Sequence, residues 1–224
     1  MILVRRSLHK LAVLTFLTGG LAPALIALTP GVASAGPCGS AVAAGTTCTL
    51  TGTLGVTGGS LTLTSPSSLA WSETLNGLDQ SVVDTVAGDQ QYTVNDATGT
   101  GAGWHVTMSA TTFTNSSHTL PNTGTLSTNG SVTSISGTGA PTATCSATCT
   151  LPTNTTTYPV AITTAATSPT PAVIYDTSAS TGLGQIVIGG STAADPVGWW
   201  LQVPASVYTG SYVSTVTLEV ISAP

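Results

Sequence analysis

The feature that most limits how this chain can fold is a short alternating run that recurs along it between turn residues. In YVSTVTLEVI, Tyr212, Val216, Leu218 and Val220 fall on one face, with Thr215, Thr217 and Glu219 mostly on the other. That period of two is the signature of a half-buried strand. Comparable runs are TCTLTGTLGV, SLTLTS, QSVVDTV, QYTV, WHVTMSAT, YPVAITT, AVIYD, GQIVIGG and GWWLQV, each bounded by Gly, Pro, Asn, Asp or Ser. Many short strands at such spacing predict an all-β fold, an antiparallel β-sandwich. Thr, Val, Gly and Pro argue against helices, and no stretch beyond the N-terminal segment holds helical spacing.

The N-terminus has a different character. MILVRRSLHK carries Arg5, Arg6 and Lys10, an apolar run follows, and Ala33-Ser34-Ala35 places small residues where a signal peptidase cuts. Residues 1–35 are therefore expected to be a cleaved secretory signal peptide, making the protein secreted, either extracellular or associated with a cell wall. Gly19-Gly20 and Pro23 interrupt the apolar run and no basic flank follows it, so no membrane attachment is expected after cleavage.

All three Lys and Arg lie in that segment, and all eight acids lie beyond it, which leaves residues 36–224 with a side-chain charge of −8 and no fixed cation. Such a surface cannot neutralise phosphates, which argues against nucleic acid, anionic lipid and anionic wall polymers as partners. It also lacks a lysine for a Schiff base and an arginine fork for a carboxylate.

Residues 36–224 are long enough to bury about 70% of their unfolded surface. They read as a single domain, with a Thr/Ser-rich, hairpin-rich insertion at about 115–164. Within it stands LPNTG, Leu120 to Gly124, which matches the L-P-x-T-G pattern cut by sortases. A sortase signal needs an apolar span and a basic tail directly after it, and neither follows here. The segment is instead expected to be a strand end and a turn, with Gly124 supplying unusual backbone angles.

The cysteines are Cys38, Cys48, Cys145 and Cys149. In an oxidising compartment four cysteines favour two disulfides, and of the three connectivities the nearest-neighbour one, Cys38–Cys48 with Cys145–Cys149, is preferred. The competing reading, four thiolates on zinc, does not fit spacings of C-x9-C and C-x3-C. No metal and no cofactor are expected.

Catalytic signals are weak, and no catalytic residue is expected. Neither G-x-S-x-G nor H-E-x-x-H occurs, and only His105 and His118 lie beyond the signal segment. His105 follows Trp104 in an alternating strand and is expected to point to solvent or a groove. The glycines of DATGTGAGW lack the helix and basic partner of a phosphate site and suggest a tight loop. Asp84, Asp89 and Asp96 have no spacing typical of a glycosidase pair or a calcium loop, so turn and surface roles are expected.

Three segments together carry a family pattern: LTLTSPSSLAWSETLNGLDQSVVDTV, YTVNDATGTGAGWHVTMSATTF and the closing GWWLQVPASVYTGSYVSTVTLEVISAP. They resemble the WxL-type domain of secreted Gram-positive surface proteins, in which D-x-x-G-x-G-x-G-W feeds a W-x-L strand and a V-P-A turn precedes the closing strand. The resemblance covers roughly 61–113 and 197–224. Here the first motif reads Trp104-His105-Val106 and the terminal one Leu218-Glu219-Val220, while a literal W-x-L occurs one strand earlier, at Trp199-Trp200-Leu201. The family implies non-covalent attachment to peptidoglycan, often beside other exported surface proteins.

Aromatic faces can stack on sugar C–H faces, and Asn, Gln and Asp can bind hydroxyls, so a wall glycan needs no cation. Trp104, His105, Trp199 and Trp200 are the candidate binding residues. Trp104 is also expected to be buried between sheets. Because adjacent strand residues point to opposite faces, at least one of Trp199 and Trp200 is expected to be exposed. The expected function is that of a non-catalytic protein held at the cell wall; the alternative is a structural or assembly subunit that binds other exported proteins through strand edges or aromatic patches.

Overall fold

The computed structural model describes residues 36, 37, 39, 41, 43–45 and 47–222. Residues 1–35, including the expected cleavage site at Ala33-Ser34-Ala35, lie outside the described residues, as does Cys38. The chain divides into two compact units, one ending at Gly55 and one beginning at Val56.

In the first unit β1 (Gly36–Pro37) pairs in parallel with β2 (Cys48–Thr49). Cys48 is disulfide-bonded. Beyond Thr49 the expected strand TCTLTGTLGV does not form: Gly52 and Gly55 interrupt it, and Leu50 and Leu54 are exposed. Without a paired neighbour, alternation alone does not hold an extended segment in a sheet.

The second unit contains β3 (Leu61–Thr64), β4 (Gln80–Val83), β5 (Gln91–Asp96), β6 (Trp104–Ala110), β7 (Thr114–Asn115), β8 (His118–Thr119), β9 (Leu126–Asn129), β10 (Ala143–Cys145), β11 (Val160–Ile162), β12 (Ala172–Asp176), β13 (Gly184–Gly189), β14 (Gly198–Val203) and β15 (Val216–Ser222). One 3-10 turn, Ala87–Asp89, is the sole helical element among the described residues. Three larger antiparallel sheets form, in the orders β10-β13-β5-β3, β11-β9-β14-β4 and β12-β6-β15, beside a two-stranded antiparallel pair β7-β8. The fold is the expected all-β antiparallel sandwich.

Period-two burial explains how the layers close. On β6, Trp104, Val106, Met108 and Ala110 point inward, and Val106 and Met108 lie opposite Val220 and Leu218 of β15. Tyr92 and Val94 of β5, Ile186 and Ile188 of β13, and Leu126, Trp199 and Leu201 of β9 and β14 join them in one core. Each large side chain buried there contributes about 1.5–3 kcal/mol.

Residues 115–164 are woven into this core. They supply β8 to β11, and β9 sits between β11 and β14 with Leu126 fully buried. LSTN carries one large apolar residue, so its alternation was too weak to mark it as a strand.

Candidate functional site

The glycine-rich run before Trp104 is a positioning device. Asp96 accepts hydrogen bonds from the Thr98 amide (3.0 Å) and hydroxyl (2.6 Å), starting the turn. At Gly103, with φ of 83°, a Cβ would lie 2.5 Å from the Thr177 carbonyl oxygen, so only glycine lets β6 enter there. Trp104 then lies fully buried, stacks on Tyr175 with centroids 5.8 Å apart, and donates its indole N–H to the Gly182 carbonyl at 2.9 Å. Its expected place between the sheets is the observed one.

The expectation of an exposed ring at Trp199 or Trp200 is corrected. Trp199 points into the core and donates to the Asp89 carbonyl at 2.6 Å. Trp200 points to the opposite face, as pleating requires, yet it is only 6% exposed. The chain after β9 folds back over that face, and the Trp200 indole donates to the Ser131 carbonyl at 2.8 Å. Strand pleating fixes the side of the sheet but not what covers it. His105 is half-buried on β6, opposite Asp176 of β12 and Ile221 of β15, on the face away from Trp104.

The acids hold turns as expected, but the expected surface placement is corrected for Asp84 and Asp96, which are buried because their carboxylates accept backbone amides. Asp84 is fully buried, with its carboxylate accepting from the Ala70 amide and the Val86 amide, each at 2.8 Å. Burial raises the pKa of the nearby Asp89 carboxyl, and the negative charge of Asp84 raises it further.

These contacts build one wall of an open cleft of ≈ 960 Å³. The wall is irregular chain, residues 67–75, held by the Asp84 carboxylate through Ala70 and by the Trp71 indole, which donates to the Trp199 carbonyl at 2.9 Å. Trp71 is half-buried and meets Phe113 edge-on at 5.8 Å. The opposite wall is residues 207–216, pinned to the chain after β6. Val213 and Thr114 exchange backbone hydrogen bonds of 2.9 and 3.0 Å, and the Thr215 amide donates to the Thr111 hydroxyl at 2.8 Å. Val82, Leu120, Leu201 and Val203 line the space between the walls.

Aromatic surface remains open along this cleft. Tyr208 is 64% exposed, with one face stacked on His118 at 3.9 Å and 8°. The Tyr212 hydroxyl donates to the Tyr208 carbonyl at 3.1 Å. Serine and threonine side chains, among them Ser72, Thr74, Thr209 and Ser211, accompany the rings, and Glu73 is the one ionisable acid in the lining. None of the sequence-selected residues Trp104, His105, Trp199 and Trp200 lines this cleft; Trp200 lines a smaller hollow of ≈ 480 Å³ on another side of the 70–73 segment. Trp71 and Tyr208 escaped sequence reasoning because neither lies in an alternating run. A large aromatic isolated among Ser, Thr, Pro and Gly was the available signal.

LPNTG forms the expected turn. Leu120 is buried at the cleft, the Pro121 carbonyl accepts from the Thr125 hydroxyl at 2.5 Å, and Gly124 adopts φ of 75°. The Asn122 side chain accepts from the Thr112 hydroxyl at 2.7 Å and the Thr164 hydroxyl at 3.1 Å. Cys145 and Cys149 form the preferred disulfide, with Cα atoms 5.6 Å apart. The expected partner of Cys48 is Cys38, which is not among the described residues.

Among the described residues no helix is long and apolar enough to cross a membrane. No curated protein and no solved structure matches the chain. The family described as WxL domain, surface cell wall-binding, matches residues 57–224, which are almost the whole of the second unit. The match spans both the Trp104 strand and the closing strand β15, and the chain belongs to the WxL family of surface cell wall-binding domains.

Proposed function

We propose that the protein associates non-covalently with peptidoglycan and catalyses no reaction on it. The observation that carries this reading is an open, aromatic-lined cleft in a wall-binding domain that has no fixed cation. Without Lys or Arg beyond residue 10, attraction to teichoic-type phosphates has no source, whereas neutral sugar rings need only aromatic faces and hydrogen-bonding groups. Of the three candidate acids, Asp84 and Asp96 are buried acceptors of backbone amides, and Asp89 does not line the cleft. His118 lies flat against Tyr208.

Sedimentation with purified sacculi tests the reading. Retention on sacculi stripped of anionic polymers, unchanged between low and high salt, is the expected result. Binding only to unstripped sacculi would overturn it, as would release of soluble sugar or peptide fragments. Failure to sediment together with co-purification of another exported protein would favour the structural alternative.

A further inference from the structure

We propose that the cleft between residues 67–75 and 207–216 is the contact site, and that it takes the glycan strand of peptidoglycan rather than its stem peptides; this rests on the wall-binding reading above.

The position of the open apolar surface is the first argument. Tyr208 at 64%, Val213 at 67% and Leu75 at 37% exposure all line this one cleft, together with the half-buried Trp71. Clustered exposure of this kind marks a contact surface, whereas scattered apolar residues do not.

The second argument is rigidity. One wall is irregular chain and the other is irregular up to the start of β15 at Val216, yet each is tied to the sheets by side-chain hydrogen bonds: Asp84 and Trp71 hold one, and Thr111 and Asn115 hold the other. Gly210 passes so close to the Asn115 side chain that a Cβ would collide with it. A cleft fixed before binding loses little conformational entropy on closing around a ligand.

The lining chemistry selects the occupant. Ring faces and hydroxyls suit pyranose rings, which present apolar C–H faces and equatorial polar groups. The lining carries one charged group, Glu73, and no cation, so stem peptides, with several charges each, find little to pair with there, whereas ring faces and hydroxyls run along the cleft. A volume of ≈ 960 Å³ is at the upper end of ordinary ligand sites and accommodates several sugar rings.

The test is a depletion isotherm on stripped sacculi for the wild type, Tyr208→Ala, Tyr208→Phe and a control, Val173→Ala, whose side chain is exposed outside the cleft. The Tyr208 ring is largely exposed, stacks on His118 and makes no side-chain hydrogen bond among the described residues, so each variant is expected to melt close to the wild type. Tyr208→Ala is expected to bind about tenfold more weakly, with Tyr208→Phe and Val173→Ala within about twofold of wild type. Glycan strands freed of stem peptides by an amidase are expected to compete the wild type off the sacculi; the released stem peptides are not.

If the wild type is retained but Tyr208→Ala binds equally well, the cleft is not the site while the wall-binding reading survives. Competition by stem peptides and not by glycan strands would overturn the choice of ligand. If the wild type is not retained at all, the wall-binding reading itself fails, and the glycan assignment with it.

Discussion

Two sets of aromatic residues occupy this domain in opposite ways. Trp104, Trp199 and Trp200 sit in strands and are almost wholly buried, each with its indole N–H bonded to a backbone carbonyl. Trp71 and Tyr208 sit in irregular chain and keep surface open to solvent. The difference lies in what each backbone can do. A strand must pair and stack, which carries its large rings into a layer; a pinned loop can hold a ring at the edge of a layer without covering it. Trp71 joins the two sets, because its indole bonds to the carbonyl of Trp199 itself.

The largest separation between core and cleft is expected in alkali. Burial pushes the Tyr175 phenol from 10.0 up to about 12 and raises Tyr92 and Tyr158 as well. These groups are neutral in the fold, so their contribution is complete below pH 10 and is lost as pH rises through the folded values. Denaturant melts at stepped pH should show stability falling steeply above pH 10, and less steeply in Tyr175→Phe. A flat profile to pH 12 would mean that these phenols ionise without disturbing the core.

Truncation of the core rings comes next. Trp104→Ala and Trp199→Ala should each destabilise the domain by about 3–5 kcal/mol, and Trp200→Ala should be destabilised too, since its ring is buried and its indole bonds to the Ser131 carbonyl. A Trp200→Ala variant that melts like the wild type would return that residue to the surface class.

Asp84→Ala acts on the link between the two regions. It removes the acceptor of the part-buried amides of Ala70 and Val86, at about 0.5–1.5 kcal/mol for each. Hydrogen exchange at Ala70 should quicken more than in the strands of the core, because the cleft wall loses its anchor first.

Smaller still is the Cys145–Cys149 crosslink, which closes a short loop; replacing both residues by Ser should lower stability by about 2 kcal/mol in urea melts. At the bottom of the scale, Thr123→Ala should change stability by less than about 0.5 kcal/mol and leave retention on the wall unchanged. Release from the wall would restore a sorting role to LPNTG.

These regions also differ in how much of them could be read from sequence. The layered fold was legible because β5, β6, β13 and β15 alternate cleanly and bury the residues that alternation selects. β9 was not, since a strand between two others needs no alternation when both its faces are covered. The cleft depends on contacts across the chain, such as Asp84 to Ala70 and Thr215 to Thr111, that no local pattern encodes. Tryptophans in strands drew attention as binding residues for the same reason that they are buried: a strand is where a large ring is most easily recognised.

The most direct test is intrinsic tryptophan emission during titration with peptide-free glycan strands. Trp104 and Trp199 are sealed in the fold, Trp200 lines a separate hollow, and Trp71 alone of the four lines the aromatic cleft. A ligand-dependent emission change is predicted in the wild type, and it should vanish in Trp71→Phe while the remaining emission stays that of a folded protein. A change that persists undiminished in Trp71→Phe would place the contact elsewhere and contradict the assignment of the cleft.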